Sequence, residues 1–411
     1  MFAWTLYDFA NSAFTTLVVT FIYATYFTKS IAANEIEGTL LWSRGVTISA
    51  LLVAIFSPFF GAMADQGSLR KKFLVLSTLI SIVATAFLFG ALPGEIAKAL
   101  TWFIIANFSF EMGMVFYNAY LPEISPPGKI GRISGYGWAL GYLGGLLCLV
   151  LALVGLVNPE VPMLGFSKEA GENIRASNLL VAVWFFIFSI PLFLWIKGPK
   201  TKSNIPFLNL LKSSVFELRS TLIQISGYKQ ILYFLLARIF YNDGLITIFA
   251  FGGIYASGTF GFDFSEIIVF GIVLNVASGL GAFLFGFFDD RIGSKKTIQI
   301  SNLGLIVASL LAVFAPDKTI FWIAGIIVGI FAGPNQASSR SLMGRLTPKD
   351  KENEFFGFFA FSGKATTFAG PFLFGLLTEI FNTQRAGVAV ITFFFLIGFL
   401  ILQRVKTEAS V

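Results

Sequence analysis

Five ionisable side chains stand inside otherwise apolar stretches of this 411-residue chain: Asp8, Glu111, Arg238, Asp243 and Lys364. Each costs about 2.5–3.5 kcal/mol at the centre of a bilayer even on a lenient insertion scale, so such residues persist where they pair, meet water or touch a ligand. Amides accompany them at helical spacing. Asn11 lies one turn from Asp8, and Asn107 and Asn118 share a helix face with Glu111. Tyr241 and Asn242 share a face with Arg238, while Asp243 is rotated by about 100° from Asn242. Gln336 sits with Asn335 and Ser339 just after Pro334, and Thr367 follows Lys364 by one turn. These groups can hold charge, donate hydrogen bonds and exchange protons. Charges of both signs suit a zwitterion, its carboxylate on Lys364 or Arg238 and its ammonium on Asp243 or Glu111. Three acids against two bases also leave one excess negative charge, so one of Asp8, Glu111 or Asp243 is expected to take a proton, because a desolvated, unpaired carboxylate favours its neutral form. The plainer alternative is pairing that only ties helices together, Arg238 with Asp243 or Lys364 with Glu111.

Bond-making chemistry finds little support. The chain has no histidine, which excludes imidazole relays, imidazole metal ligands and Ser-His-Asp catalysis. Its single cysteine, Cys148, cannot build a thiolate metal site or an internal disulfide. No Gly-rich phosphate loop is present, so ATP-driven work is not expected. No enzyme activity, cofactor or metal is expected.

The elements that must position these residues are membrane-spanning helices. The chain is 56% hydrophobic and 12% charged, against about 25% charged in a soluble domain. Apolar runs of the roughly 20 residues needed to cross hydrocarbon occur at 3–28, 41–63, 72–92, 100–121, 132–157, 176–197, 229–256, 264–288, 297–315, 319–344, 354–379 and 384–404. Lipid obliges single spans to be helical. Most Lys and Arg residues fall on one side, as in Arg70, Lys71 and Lys72, in Lys200, Lys202 and Lys212, in Arg291, Lys295 and Lys296, and in Arg340, Arg345, Lys349 and Lys351. That bias predicts an inner-membrane protein with both termini cytoplasmic, and scattered clusters of this kind do not make a nucleic-acid surface. Residues 198–228 form the longest polar stretch, in which Leu211, Val215, Leu218 and Leu222 recur at helical steps. The expectation is a six-helix unit over 1–197, a cytoplasmic linker with an amphipathic helix lying along the leaflet, and a second six-helix unit over 229–411.

The two halves repeat one another. Gly61, Asp65, Arg70 and Lys71 after the second span match Gly286, Asp290, Lys295 and Lys296 after the eighth at one constant offset. Repeated membrane halves are a transporter architecture. The twice-used loop resembles the signature loop of the major facilitator superfamily. The resemblance implies an all-α fold of twelve transmembrane helices in two pseudo-symmetric six-helix bundles, with the first, fourth, seventh and tenth spans around a central cavity. It also implies a conformational gate on Gly61, Asp65 and Arg70 and on Gly286, Asp290 and Arg291, although Gln66 stands where the first copy's usual Arg would follow Asp65. WTLYDFANSAF (4–14), FYNAYLPEI (116–124), GYGWALGYLGG (135–145), YNDG (241–244) and FSGKATTFAGP (361–371) resemble the bacterial relatives of the autophagy-linked vacuolar amino-acid effluxers. The glycines of the fifth span resemble an antiporter motif, with Tyr142 in place of its proline, and are equally suited to close helix packing.

The expected function is secondary export of small metabolites, amino acids first, by alternating access. The substrate and proton set is Asp8, Asn11, Glu111, Asn118, Arg238, Asn242, Asp243, Gln336 and Lys364. The expected partners are a small-molecule substrate, a proton as candidate coupling ion, and the bilayer around a monomer. An exporter of drugs or other amphiphiles, and a receptor on the same scaffold that moves nothing, remain the alternatives.

Overall fold

The computed structural model describes residues 1–198 and 206–406, so Lys200 and Lys202 of the basic linker lie outside the described residues. All twelve expected spans are helical, and no strand occurs among the described residues. Ten are unbroken helices long and apolar enough to cross a bilayer. The other two, the first and the eleventh, are interrupted, and the interruptions have local causes.

The first span runs as Phe2–Ala13, a π-helical Phe14–Phe21, Ile22–Tyr26 and a π-helical Phe27–Ile31. Its threonines bond back onto the chain: Thr15 Oγ1 donates to the Ser12 carbonyl at 3.0 Å, Thr20 to Thr15 at 2.9 Å and Thr25 to Phe21 at 2.7 Å. Such side-chain bonds compete with the regular ladder and loosen the helix. The eleventh span is Glu352–Lys364 and Ala369–Phe381. Pro371 falls in the first turn of the second piece, where it has no N–H to give to the turn before it, and Thr366 and Thr367 occupy the gap.

The remaining spans are Glu35–Gln66, Arg70–Gly90, Ile96–Asn118, Ile130–Val157 and Glu172–Trp195 in the first half. In the second they are Lys229–Phe260, Phe264–Ile292, Ser294–Phe314, Lys318–Leu346 and Gln384–Gln403. The longest have 32 residues, about 48 Å of helix against ~30 Å of hydrocarbon, so they outrun the limits set by apolar character alone. Arg340, counted with the basic residues of the cytoplasmic side although the expected run 319–344 contains it, is buried within the tenth span.

Between the halves, Phe207–Ile223 forms the linker helix. Leu210, Ser214 and Thr221 are buried against the protein, while Leu208, Val215, Phe216, Leu222 and Ile223 are exposed on the opposite side. The inner face sets Leu210 beside the small polar Ser214 and Thr221, and the outer one carries apolar side chains among exposed Asn209, Lys212 and Arg219, which suits the expected position on a leaflet. The halves meet through the second and eleventh spans and through the fifth and eighth. Ser57 Oγ donates to the Gly357 carbonyl at 2.9 Å across the first of these seams.

Candidate functional site

Twelve crossings bring both termini to one end of the bundle, and that end is closed by two related contacts. Asp65 accepts from the Asn353 backbone at 3.2 Å, the Asn353 side chain at 2.6 Å and the Glu354 backbone at 2.8 Å. It thereby caps the N-terminus of the eleventh span, where free N–H groups and the helix dipole favour an anion. Asp290 does the same to the fifth span, accepting from the Gly131 backbone at 2.8 Å and from the Arg132 backbone and side chain. A Cβ on Gly61 would collide with the Asn353 carbonyl, and one on Gly286 would come within 2.9 Å of the Arg132 Cα. Four of the six expected gate residues therefore form two matched seams between the halves. A fifth, Arg70, bridges Glu123 and Glu352 at 3.1 Å each.

The sixth, Arg291, does not join them. It is exposed and forms no ion pair among the described residues. Consecutive residues on a helix point about 100° apart, so Asp290 and Arg291 cannot face one partner. The basic contacts come from Arg132 and from Arg345, which lies 3.1 Å from Asp289 and 3.6 Å from Asp290. The linker helix adds Glu217, paired with Lys351 at the start of the eleventh span. Burial pulls the Lys351 ammonium down, but its bond to Glu217 and the charge of Glu354 outweigh that and raise its pKa above the ordinary value. A raised lysine keeps its contribution until pH climbs through the lysine range, so this contact does not titrate near neutrality.

One layer deeper lies a cluster centred on a residue absent from the sequence-based set. Arg340 Nη1 lies 2.8 Å from Asp8 Oδ2, with the two side chains 3% and 7% exposed. It also donates from Nη1 to Asn118 at 3.3 Å, from Nε to Ser134 Oγ at 2.9 Å and from Nη2 to the Ser134 carbonyl at 2.7 Å. Its guanidinium lies over Trp4, 4.7 Å from the ring centroid, with Tyr117 and Trp138 at 5.8 and 5.7 Å. Trp4 and Tyr117 stack at 4.4 Å, and each side chain donates to the other residue's backbone carbonyl. Asn11 donates to Asp8 at 3.5 Å. A side chain at Gly137 would strike both Asp8 and Arg340, so this glycine leaves room for the pair. Asp8, Asn11 and Asn118 thus belong to a buried tie between the halves. The available signal for Arg340 was its place inside the expected run 319–344, ahead of the Thr347-Pro348 pair where the helix stops.

Nearer the middle of the bundle, Lys364 Nζ and Glu111 Oε1 lie 2.6 Å apart. Lys364 is the last residue before the break in the eleventh span, about 18 Å along the helix from Glu352. Both groups keep partial access, at 27% and 18% exposure, unlike the sealed Asp8–Arg340 pair. Arg238 and Asp243 do not pair. Five residues apart on one helix, they point about 140° from one another. Arg238 donates to the Phe359 carbonyl at 2.7 Å and Ser362 at 2.9 Å and stacks 3.7 Å from the Phe359 ring centroid. Asn242 donates to the Gly363 carbonyl at 3.2 Å. Asp243 is buried, and its Oδ1 has no partner among the described residues. Gln336 lies beside the Tyr142 hydroxyl with Ser278, at the fifth, eighth and tenth spans and apart from this cluster. Asn107 bonds Ser49 of the second span at 2.8 Å and Asn335 bonds Asn302 of the ninth at 2.8 Å, which makes both internal to their halves.

The sequence matches the family described as "Vacuole effluxer Atg22 like" over residues 39–411. The chain belongs to the Atg22-like family. Among its relatives is the uncharacterised MFS-type transporter YxiO of Bacillus subtilis, 26% identical over 99% of this chain and 95% of that protein. Another is autophagy-related protein 22-1 of Aspergillus fumigatus, 21% identical over 82% and 70%. The fold is that of the major facilitator superfamily. The fucose transporter FucP in its outward conformation superposes with a TM-score of 0.77 at 12% identity over 99% of this chain and 98% of FucP. A XylE variant superposes with a TM-score of 0.79 at 14% identity over 100% and 96%. This Atg22-like protein is accordingly a multi-pass membrane transporter of the major facilitator superfamily.

Proposed function

We propose that this protein is a secondary active exporter of small zwitterionic metabolites, amino acids foremost, working by alternating access. The observation that carries the proposal is the Glu111–Lys364 pair, which joins the two halves near mid-membrane while staying partly accessible. A zwitterion entering between them replaces one ion pair by two, its ammonium on Glu111 and its carboxylate on Lys364. A pure cation or anion satisfies one partner and leaves the other unpaired at low dielectric, which is strongly unfavourable. Arg238 and Asn242 stand beside the pair on the seventh span. The effluxer description of the family supports movement of solutes across a membrane.

In this reading residues 1–197 and 229–411 are the moving units and 198–228 the linker between them. The Lys and Arg bias supports a cytoplasmic position for the end that carries both termini, with the protein in an inner membrane. The Gly61–Asp65–Arg70 and Gly286–Asp290 seams, with the Asp8–Arg340 tie behind them, then form a cytoplasmic gate, closed here. The amphiphile alternative draws on a different feature, an apolar cavity of about 690 Å³ among Phe2, Tyr136, Leu143, Leu280 and Phe283 of the first, fifth and eighth spans, which holds none of the charged cluster.

Counterflow in proteoliposomes tests the proposal. Labelled neutral amino acids are expected to exchange, and their decarboxylated amines and deaminated acids are not. Exchange of a lipophilic cation with no amino-acid flux would favour the amphiphile reading, and binding without any flux would favour a receptor.

A further inference from the structure

Asp243 stands apart from the other two acids in the spans. Asp8 is matched by Arg340 and Glu111 by Lys364. Asp243 is 2% exposed and its Oδ1 has no hydrogen-bond partner among the described residues. It faces Thr366 in the break of the eleventh span, and the Thr366 hydroxyl has no other partner among the described residues. The two helices are pressed together there, since a Cβ on Gly370 would collide with Thr247 and come within 3.1 Å of the Asp243 carbonyl.

On the elements packed around Asp243, the charges within the spans are engaged elsewhere, and Glu379 of the eleventh is exposed near its far end. On its own helix, Arg238 is held by Phe359 and Ser362. On the eleventh, Lys364 holds Glu111, and on the tenth, Arg340 holds Asp8. The twelfth presents Phe395 and Gly398 to this stretch of the seventh, and its Arg385 is bonded to the Val313 and Ala315 carbonyls at the far end. The charges of the eighth, Glu266, Asp289, Asp290 and Arg291, lie in its terminal turns. An ionised carboxylate in this setting has no countercharge. The Thr366 hydroxyl can donate to a carboxylate or accept from the acid, so the missing countercharge is what favours the protonated form.

We propose that Asp243 is the proton-binding group of the transport cycle. It carries its proton in this conformation and exchanges it with water when the seventh span and the two pieces of the eleventh move apart. The assignment rests on the transporter reading above but is tested separately from the choice of substrate. Infrared spectroscopy of the purified full-length protein reads the carboxyl directly, with no substrate present. At neutral pH the wild type is expected to show a protonated-carboxyl C=O stretch that disappears in Asp243→Asn and shifts in Asp243→Glu. In proteoliposomes, a pH gradient is expected to drive net flux in the wild type, while whatever flux Asp243→Asn retains no longer responds to the gradient. A protonated-carboxyl region that Asp243→Asn leaves unchanged from the wild type would overturn the proposal, whatever band the other buried carboxyls contribute. So would loss of the band on adding Na⁺ at fixed pH, which would make this a sodium site. An intact band with no amino-acid counterflow would instead sink the substrate reading and leave the proton assignment standing.

Discussion

Arg340 ties the halves together because its planar fork serves several acceptors at once: the Asp8 carboxylate, Asn118, and the hydroxyl and carbonyl of Ser134. A lysine, with a single charged nitrogen, cannot reach them together. Replacing Arg340 by Gln leaves Asp8 charged and unpaired in a buried setting, a loss of about 3–5 kcal/mol. The melting temperature in detergent is expected to fall markedly for Arg340→Gln and to recover in part when Asp8→Asn is added. Equal melting of wild type and single variant would show that the pair carries no stability. The same change should open the gate. Cys148 is buried, so a thiol introduced at Ala337, itself buried behind the tie, can be labelled without background. Ala337→Cys is expected to resist a membrane-impermeant reagent in the wild type and to react in the Arg340→Gln background. Asp8 was legible in the sequence as a costly charge. Its partner was not, because Arg340 was counted with the basic cluster of Arg345, Lys349 and Lys351 that follows it and so was read as part of the cytoplasmic side.

Among the elements, the loops after the second and eighth spans give the clearest agreement between sequence and structure. Their repeat marked Gly61, Asp65, Gly286 and Asp290, and the helices whose N-termini these acids cap begin at Glu352 and Ile130. Which basic residues would complete the seams was not legible, since Arg132 and Arg345 come from elements distant in sequence. A branched side chain at either glycine must push two helices apart. Gly61→Val and Gly286→Val are each expected to cut transport by at least about tenfold, equivalent to about 1.4 kcal/mol, with insertion in the membrane retained. Transport at the wild-type rate would mean that the seams do not have to close. The linker helix predicts a smaller effect. Glu217 and Lys351 are both partly exposed, and such pairs contribute about 0–1 kcal/mol. Glu217→Ala should shift the melting temperature by only a degree or two, and a shift comparable to that of Arg340→Gln would contradict the ranking. The break in the eleventh span had visible causes in Thr366, Thr367 and Pro371 but left the apolar run intact, so hydropathy could not report it.

On the scale of the whole molecule, adding Arg340 balances the charges buried in the spans. Asp8, Glu111 and Asp243 face Arg340, Lys364 and Arg238, yet only two pairs form, and both cross between the halves. One is sealed among aromatic rings. The other is reachable and sits where the eleventh span gives way, and that difference supports a structural role for the first and a ligand-binding one for the second. The helical repeat and the count of twelve were legible because lipid forces each apolar run into one helix. The pairing of charges was not, because it depends on which helix faces lie together across the seam. The central claim, that Glu111 and Lys364 divide a zwitterion between them, is tested most directly by amino-acid counterflow in proteoliposomes containing wild type or Lys364→Met. The account predicts exchange in the wild type and none in Lys364→Met, with both proteins melting as folded species. Exchange by Lys364→Met at the wild-type rate would contradict it.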